Sequence, residues 1–126
     1  MQPCDHDVTA LPVAVPNQFR KYTPEQAGVV RQCPICFRVA SGGSDPVSPQ
    51  VITDHYPSGE AGSGVVLLFY LLDSIASNRS EIQQLVSELE HAGVDVFSTL
   101  SRINRDPDIN PAIDLDRRIR HLEQFL

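Results

Sequence analysis

The sequence predicts an α+β chain, in which a small β unit precedes a helical bundle. Short β-prone segments surround the C-P-I-C sequence of Cys33–Cys36 within residues 1–42. Residues 43–64 are rich in glycine and proline, and apolar residues at helical spacing fill residues 65–126. We therefore expect three parts: a cysteine-containing β unit, a loop or linker, and a bundle.

The β unit is predicted from short segments that end at proline or glycine. The apolar segment 10–15 is followed by proline and is typical of an edge strand. Residues 17–22 suit one helical turn, and residues 23–26 (T-P-E-Q) have the pattern that begins a short helix. Residues 29–33 and 37–40 lie on either side of the cysteine pair and are expected to form a hairpin.

A long loop is expected between the β unit and the first helix. It covers residues 41–64, includes a short strand at 51–53, and ends with Gly62-Ser63-Gly64. Residues 65–76 are apolar on nearly all sides, which predicts the most buried helix of the chain.

Capping signals delimit the next two helices. Ser80 and Gln83 have the spacing of a capping box, and Gly93 ends the apolar periodicity that follows them. Asp95 is expected to cap a third helix, which Pro107 stops.

A fourth helix is expected to start at Asn110, with Pro111 at its first position. One apolar stripe follows at helical spacing, formed by Leu115, Ile119, Leu122 and Leu126. Four helices with short connections predict a small bundle.

Composition and charge limit the classes of function. The chain has 126 residues and 41% apolar residues, which suits one globular domain. The longest apolar run, residues 65–72, is far shorter than the ~20 residues of a membrane span. No basic start with an apolar stretch marks a signal peptide, so a cytoplasmic, reducing location is expected. Residues 1–40 carry four basic and three acidic residues, whereas the remainder is strongly acidic.

The cysteine pattern indicates a zinc site. Cys33 and Cys36 lie two residues apart in a tight turn, a spacing that chelates one Zn²⁺. A closed tetrahedral site needs two more ligands, and Cys4 with His6 can supply them. Asp7 is the alternative fourth ligand, because Cys4-x-x-Asp7 has the spacing of an ordinary cysteine knuckle. We expect the zinc to be structural, since no catalytic base motif lies nearby.

A thiol- or metal-dependent enzyme is the first alternative. In that case Cys33 would attack and Cys36 would resolve, as in C-x-x-C oxidoreductases. That chemistry favours a cysteine at a helix N-terminus, but β-prone residues and two glycines follow Cys36. A second alternative is a weak nucleic-acid binder, whose basic residues would be Arg20, Lys21, Arg31 and Arg38.

Two further features have weaker functional interpretations. His55 follows Asp54, a pair that suits metal binding or acid–base chemistry but is common in loops without any role. The apolar helix predicted from residue 65 is expected to form the core. Any apolar surface that it leaves uncovered suits a protein partner or a second copy of the chain.

Several motifs follow one another along the chain: a cysteine knuckle, V-A-V-P, F-R-K-Y, C-P-x-C, an apolar helix and a terminal D-L-D-R-R-I-R-H-L helix. In this order the chain resembles a small uncharacterised zinc-ribbon-like family of halophilic archaea. Members of that family have two C-x-x-C pairs, whereas this chain has Asp7 where the fourth cysteine would stand. The resemblance implies a zinc-ribbon fold for residues 1–42 and no particular activity.

We therefore predict a non-enzymatic interaction protein. A structural zinc ion would hold the zinc-ribbon-like unit of residues 1–42. The helical half would bind a protein partner or form a homo-oligomer, without contact with a membrane.

Overall fold

The computed structural model describes residues 9–23 and 26–125. Within these residues, strands precede α-helices along the chain, with 3₁₀ helices between them. The elements are β1 Leu11–Ala14, a 3₁₀ helix at Asn17–Tyr22, β2 Val29–Gln32, β3 Val39–Ser41, a 3₁₀ helix at Pro49–Val51, α1 Glu60–Leu72, α2 Arg79–His91, α3 Val96–Arg105 and α4 Leu115–Phe125. A small sheet followed by helices confirms the predicted α+β class.

The three strands form one antiparallel sheet in the order β1–β2–β3. Leu11 lies opposite Gln32, so the start of β1 is beside the end of β2 that leads into Cys33. On the other side of β2, Arg31 pairs with Ala40 of β3. The hairpin predicted around the cysteine pair is therefore confirmed.

Helix α1 is the central helix, and nearly all of its side chains are buried. Gly62-Ser63-Gly64 lies in its first turns rather than before it, so the predicted helix start at residue 65 is too late. A Cβ on Gly62 would lie 2.6 Å from the carbonyl oxygen of Pro57, and one on Gly64 would lie 2.7 Å from Leu89 Cδ2. The glycines therefore allow close packing inside a helix, and they do not form a turn.

The predicted strand at residues 51–53 is wrong. Residues 49–51 form a 3₁₀ turn instead, in which the N–H of Ile52 donates to the carbonyl of Pro49 at 2.9 Å. Proline fixes the φ angle that such a tight turn requires, and this local preference prevails over the β-branched residues after it.

The end of α2 agrees with the prediction and its start does not. Asn78 precedes the helix and Ser80 lies inside the first turn, so the predicted capping box is wrong. At the other end, Gly93 has φ +90° and the N–H of Val94 donates to the carbonyl of Leu89 at 3.0 Å. This is the Schellman arrangement that glycine favours after a helix.

Helix α3 begins as predicted, because the Asp95 carboxylate accepts the N–H of Ser98 at 3.0 Å. Helix α4 begins later than expected, at the residue after Asp114, whose carboxylate accepts the N–H of Arg117 at 3.2 Å. Asn110 does not cap this helix. Its N–H is bonded to the cysteine turn instead, as described below.

The sheet and the helices share one hydrophobic core. Buried residues of the N-terminal part, such as Val13 and Phe37, belong to the same cluster as Leu67 of α1 and Leu100 of α3. In the part of the chain that the structure describes, no helix combines the length and the apolar character that a membrane span needs.

Candidate metal site at the cysteine turn

The cysteine turn joins β2 to β3. The N–H of Cys33 donates to the carbonyl of Arg38 at 3.0 Å, and the N–H of Phe37 donates to the carbonyl of Cys33 at 3.0 Å. Phe37 has φ +63°, a left-handed conformation that costs an L-residue ~1 kcal/mol or more. Contacts around Phe37 must therefore stabilise this conformation.

Both cysteines are buried, with Cys33 1% and Cys36 5% exposed. The N–H of Ile35 donates to Cys33 Sγ at 3.4 Å. A hydrogen bond to the charged form of a group favours that form, and the thiolate is the form of cysteine that binds metal. The turn thus combines two cysteines in one tight loop with a backbone donor on the first sulfur.

A buried polar network supports the turn from inside the protein. Gln32 is 0% exposed, and its side-chain amide donates from Nε2 to the carbonyl of Phe37 at 3.0 Å. The hydroxyl of Tyr56 donates to Gln32 Oε1 at 2.5 Å. Burial raises the pKa of Tyr56 well above its ordinary value, so the hydroxyl keeps the proton that it donates. The network links the turn to the loop before α1.

An aromatic cluster lies beneath the same turn. The ring of Phe37 is 5.1 Å from that of Phe69 in α1, in an edge-to-face arrangement, and 5.9 Å from that of Tyr56. Aromatic pairs at such distances and angles add to the stabilisation from burial. The left-handed residue is thus held by a hydrogen bond through its carbonyl and by packing through its ring.

The segment between α3 and α4 supports the turn from the other side. The N–H of Asn110 donates to the carbonyl of Ile35 at 2.7 Å, and the N–H of Ala112 donates to the carbonyl of Cys36 at 2.9 Å. These two hydrogen bonds tie residues 110–112 to the cysteine turn, and the segment has no regular secondary structure.

Three of the predicted metal ligands, Cys4, His6 and the alternative Asp7, lie outside the described residues. Across residues 9–23 and 26–125, no group of three or more His, Cys, Asp or Glu side chains could hold a metal ion. The structure therefore positions Cys33 and Cys36 of the predicted site, and the complete ligand set stays a prediction.

The four basic residues predicted to face nucleic acid differ in their surroundings. Lys21 Nζ is 2.9 Å from Glu88 Oε1 on α2, so its charge is paired. Arg20 Nε donates to the carbonyl of Val15 at 3.1 Å. The stem of Arg31 packs against Gly43, whereas Arg38 is exposed beside the cysteine turn. Nucleic-acid binding through these residues stays a prediction.

His55 pairs with a residue other than its neighbour in sequence. Its Nε2 lies 3.0 Å from Asp106 Oδ2, at the end of α3, and both side chains are about one-quarter exposed. The N–H of Asp108 and the imidazole of His55 lower the pKa of the Asp106 carboxyl. No hydrogen bond to Asp54 is present within the described structure.

Sequence reasoning missed Gln32, Tyr56 and Asp106. A signal for Gln32 was present, because it lies on the same face of β2 as the buried Val30 and is thus a polar residue at a core position. Tyr56 and Asp106 gave no local signal, since their partners are distant in sequence.

These features define a small α+β protein in which a three-stranded sheet with a C-x-x-C turn packs on helices. The chain belongs to the Family of unknown function DUF6276, whose model matches residues 2–126. No curated protein and no solved structure gives a significant match to the chain.

Proposed function

We propose that this protein is a non-enzymatic interaction protein whose N-terminal unit, a zinc ribbon, is held by a structural zinc ion. The observation that carries the proposal is the built turn at Cys33 and Cys36. In this turn the N–H of Ile35 donates to Cys33 Sγ, and the buried side-chain amide of Gln32 donates to the carbonyl of Phe37. Residues 110–112 add two more hydrogen bonds to the turn. Two thiolates in such a turn are half of a tetrahedral zinc site.

Cys4 and His6 are the proposed remaining ligands, with Asp7 as the alternative to His6. The strand pairing supports this choice, because it places the start of β1 beside the end of β2 that enters Cys33. Cys4 lies six residues before Ala10, and six residues of extended chain span at most ~20 Å. That reach is sufficient for the N-terminal segment to return to the turn.

Burial of the two cysteines favours a structural role over a catalytic one. Reactive cysteines occur in partly exposed, electropositive surroundings, and catalytic zinc keeps an open ligand position. Cys33 and Cys36 are both buried within the turn. With Cys4 and His6 they would make a closed set of four protein ligands, which leaves no position for a substrate.

The interaction surface is proposed to be polar. Helix α1 is covered by its own chain, and among the described residues the one large exposed hydrophobic side chain is Val51, at 60%. Obligate interfaces bury large apolar areas, and the described surface exposes too few apolar side chains to form one. We therefore propose a reversible partner that binds the charged outer faces of the helical half.

The metal site is tested by elemental analysis of the purified full-length chain. We expect about one zinc ion per chain, and loss of that zinc in Cys4→Ser, Cys33→Ser and Cys36→Ser. His6→Ala, or Asp7→Ala if Asp7 is the fourth ligand, should also lower the zinc content. His55→Ala and Asp54→Ala are the respective controls and should keep it. Zinc retained in Cys36→Ser, or no zinc in the unchanged chain grown with zinc, would contradict the proposal.

Alkylation separates the structural role from the thiol-enzyme alternative. Zinc-bound thiolates are expected to react with iodoacetamide slowly, and to react faster after a chelator removes the metal. Rapid alkylation of Cys33 in the zinc-loaded chain would instead favour the enzyme.

A further inference from the structure

A small pocket lies between the cysteine hairpin and the C-terminal end of α1. Its volume is about 140 Å³, and its lining is part apolar, from Val39, Phe69, Tyr70 and Ile113, and part polar. A cavity of ~150 Å³ with apolar walls accepts a molecule of the size of benzene. The pocket therefore suits one apolar side chain and is too small for a drug-sized ligand, which needs ~300 Å³ or more.

Two opposite charges line the same pocket. Arg38 comes from the residue before β3, and Asp73 from the residue after α1. Both are exposed, and in the described structure neither forms an ion pair or hydrogen bond through its side chain. The two groups are therefore available to a ligand, and they do not neutralise each other directly.

The position of Asp73 adds to its preference for a cation. It is the C-cap of α1, where unpaired carbonyls give the helix end a partial negative charge. A guanidinium such as that of Arg38 binds a carboxylate through paired hydrogen bonds. The lining thus contains one group that favours an ammonium and one that favours a carboxylate.

We propose that this pocket binds a free α-amino acid with an apolar side chain. The side chain would occupy the cavity beside Phe69 and Tyr70, the carboxylate would bind Arg38, and the ammonium would bind Asp73 and the end of α1. A zwitterion of this size satisfies the cavity and both charges together. The pocket adjoins the proposed zinc site, because Cys36 is one of its lining residues, but none of the proposed contacts uses the Cys36 thiol.

The test is an NMR titration of the ¹⁵N-labelled full-length chain with L-phenylalanine and three analogues. L-phenylalaninamide lacks the carboxylate, 3-phenylpropionate lacks the ammonium, and glycine lacks the ring. We expect L-phenylalanine to bind with a dissociation constant in the millimolar range, on the order of 1 mM. L-phenylalaninamide and 3-phenylpropionate should each bind about two- to fivefold more weakly, as expected for exposed charge pairs. Glycine should bind more weakly than either, because it loses the apolar contact with the cavity.

Two variants make the assignment specific. Arg38→Gln should weaken L-phenylalanine and 3-phenylpropionate by about two- to fivefold and leave L-phenylalaninamide unchanged. Asp73→Asn should weaken L-phenylalanine and L-phenylalaninamide and leave 3-phenylpropionate unchanged. Arg120→Gln, which removes an exposed arginine on α4, is the control and should change none of the affinities.

The position of the shifts and the order of affinities decide the outcome. Two results together would support the proposal. Amide shifts should occur at residues 36–39, 69–73 and 112–113, and each variant should weaken only those ligands that carry the charge its side chain binds. Equal affinity for L-phenylalanine and its two charge-deficient analogues would overturn it, as would the absence of any shift at about 10 mM ligand, ten times the expected dissociation constant.

Discussion

Two neighbouring residues, His55 and Tyr56, form polar contacts in different surroundings. The Tyr56 hydroxyl donates to Gln32 in the interior, whereas the His55 imidazole meets Asp106 at the surface. Each contact joins segments that are distant in sequence. They start from the same short loop, but one is a neutral hydrogen bond in the interior and the other is a histidine–carboxylate pair near the surface.

The buried contact is expected to dominate stability. A buried donor or acceptor that loses its partner costs ~1–3 kcal/mol, because water cannot replace the partner. The exposed pair is hydrated and screened by salt, so its removal costs little. The Gln32 network also holds the carbonyl of Phe37, so it shapes the turn that presents Cys33 and Cys36.

The largest predicted effect comes from Gln32→Ala. This change leaves the carbonyl of Phe37 and the hydroxyl of Tyr56 without their buried partner and creates a cavity. We expect the free energy of unfolding to fall by about 3 kcal/mol, measured by urea denaturation at a fixed zinc concentration. Gln84→Ala, on the exposed face of α2, should change it by less than about 0.5 kcal/mol. Equal effects of the two changes would remove the proposed role of the network.

A smaller loss is predicted for Tyr56→Phe. The ring stays in its aromatic cluster, and only the hydrogen bond to Gln32 Oε1 is removed. The free energy of unfolding should fall by about 1.5 kcal/mol. Tyr70→Phe is the matched control, because Tyr70 is only half-buried. A similar cost for both variants would mean that burial does not distinguish the two hydroxyls.

The smallest effect is predicted for Asp106→Asn, and it depends on pH. A carboxyl whose pKa is lower in the folded than in the unfolded state adds stability above the unfolded value, and this stability is lost as the pH falls through the folded value. The stability difference between the unchanged chain and Asp106→Asn should therefore be fully present at neutral pH, begin to shrink below about pH 4, and vanish only when the pH is below the lowered pKa of the folded state. The amide oxygen that the substitution introduces would still accept the N–H of Asp108.

Thermal unfolding across this pH range measures the Asp106 effect. Asp54→Asn is the matched control, since Asp54 adjoins His55 in sequence and is exposed. A pH-dependent loss in Asp54→Asn and not in Asp106→Asn would show that the sequence neighbour is the true partner of His55.

The elements that follow local rules could be predicted from the sequence. The hairpin follows from β-prone residues on both sides of the C-P-I-C turn, and the end of α2 from Gly93. The Asp95 cap likewise depends on the residues that immediately follow it. In each case the responsible contact lies within a few residues of the signal.

Two of the errors, at Gly62-Ser63-Gly64 and at Asn110, occurred where a contact elsewhere in the chain decided the local structure. Gly62 and Gly64 have the composition of a loop, but their lack of a side chain serves close packing against the loop before α1 and against α2. Asn110 has the pattern of a helix cap, but its N–H is bonded to Ile35 of the cysteine turn. Leu89, which packs against Gly64, and Ile35, which accepts the N–H of Asn110, both lie outside any local sequence window.

The candidate site shows the same division. The pair Cys33 and Cys36 was identified from spacing alone, whereas its support by Gln32 and Tyr56 depends on the folded arrangement. The pairing of His55 with Asp106 joins residues 51 positions apart, and no local pattern predicts such a contact.

The most direct test of the zinc proposal is X-ray absorption at the zinc edge of the purified full-length chain. We predict three sulfur ligands at about 2.3 Å and one nitrogen ligand at about 2.0 Å, from Cys4, Cys33, Cys36 and His6. Three sulfurs with one light ligand that lacks the outer-shell scattering of an imidazole ring would replace His6 by Asp7 and retain the site. A coordination shell of nitrogen and oxygen alone, or one with only two sulfurs, would contradict the closed structural site.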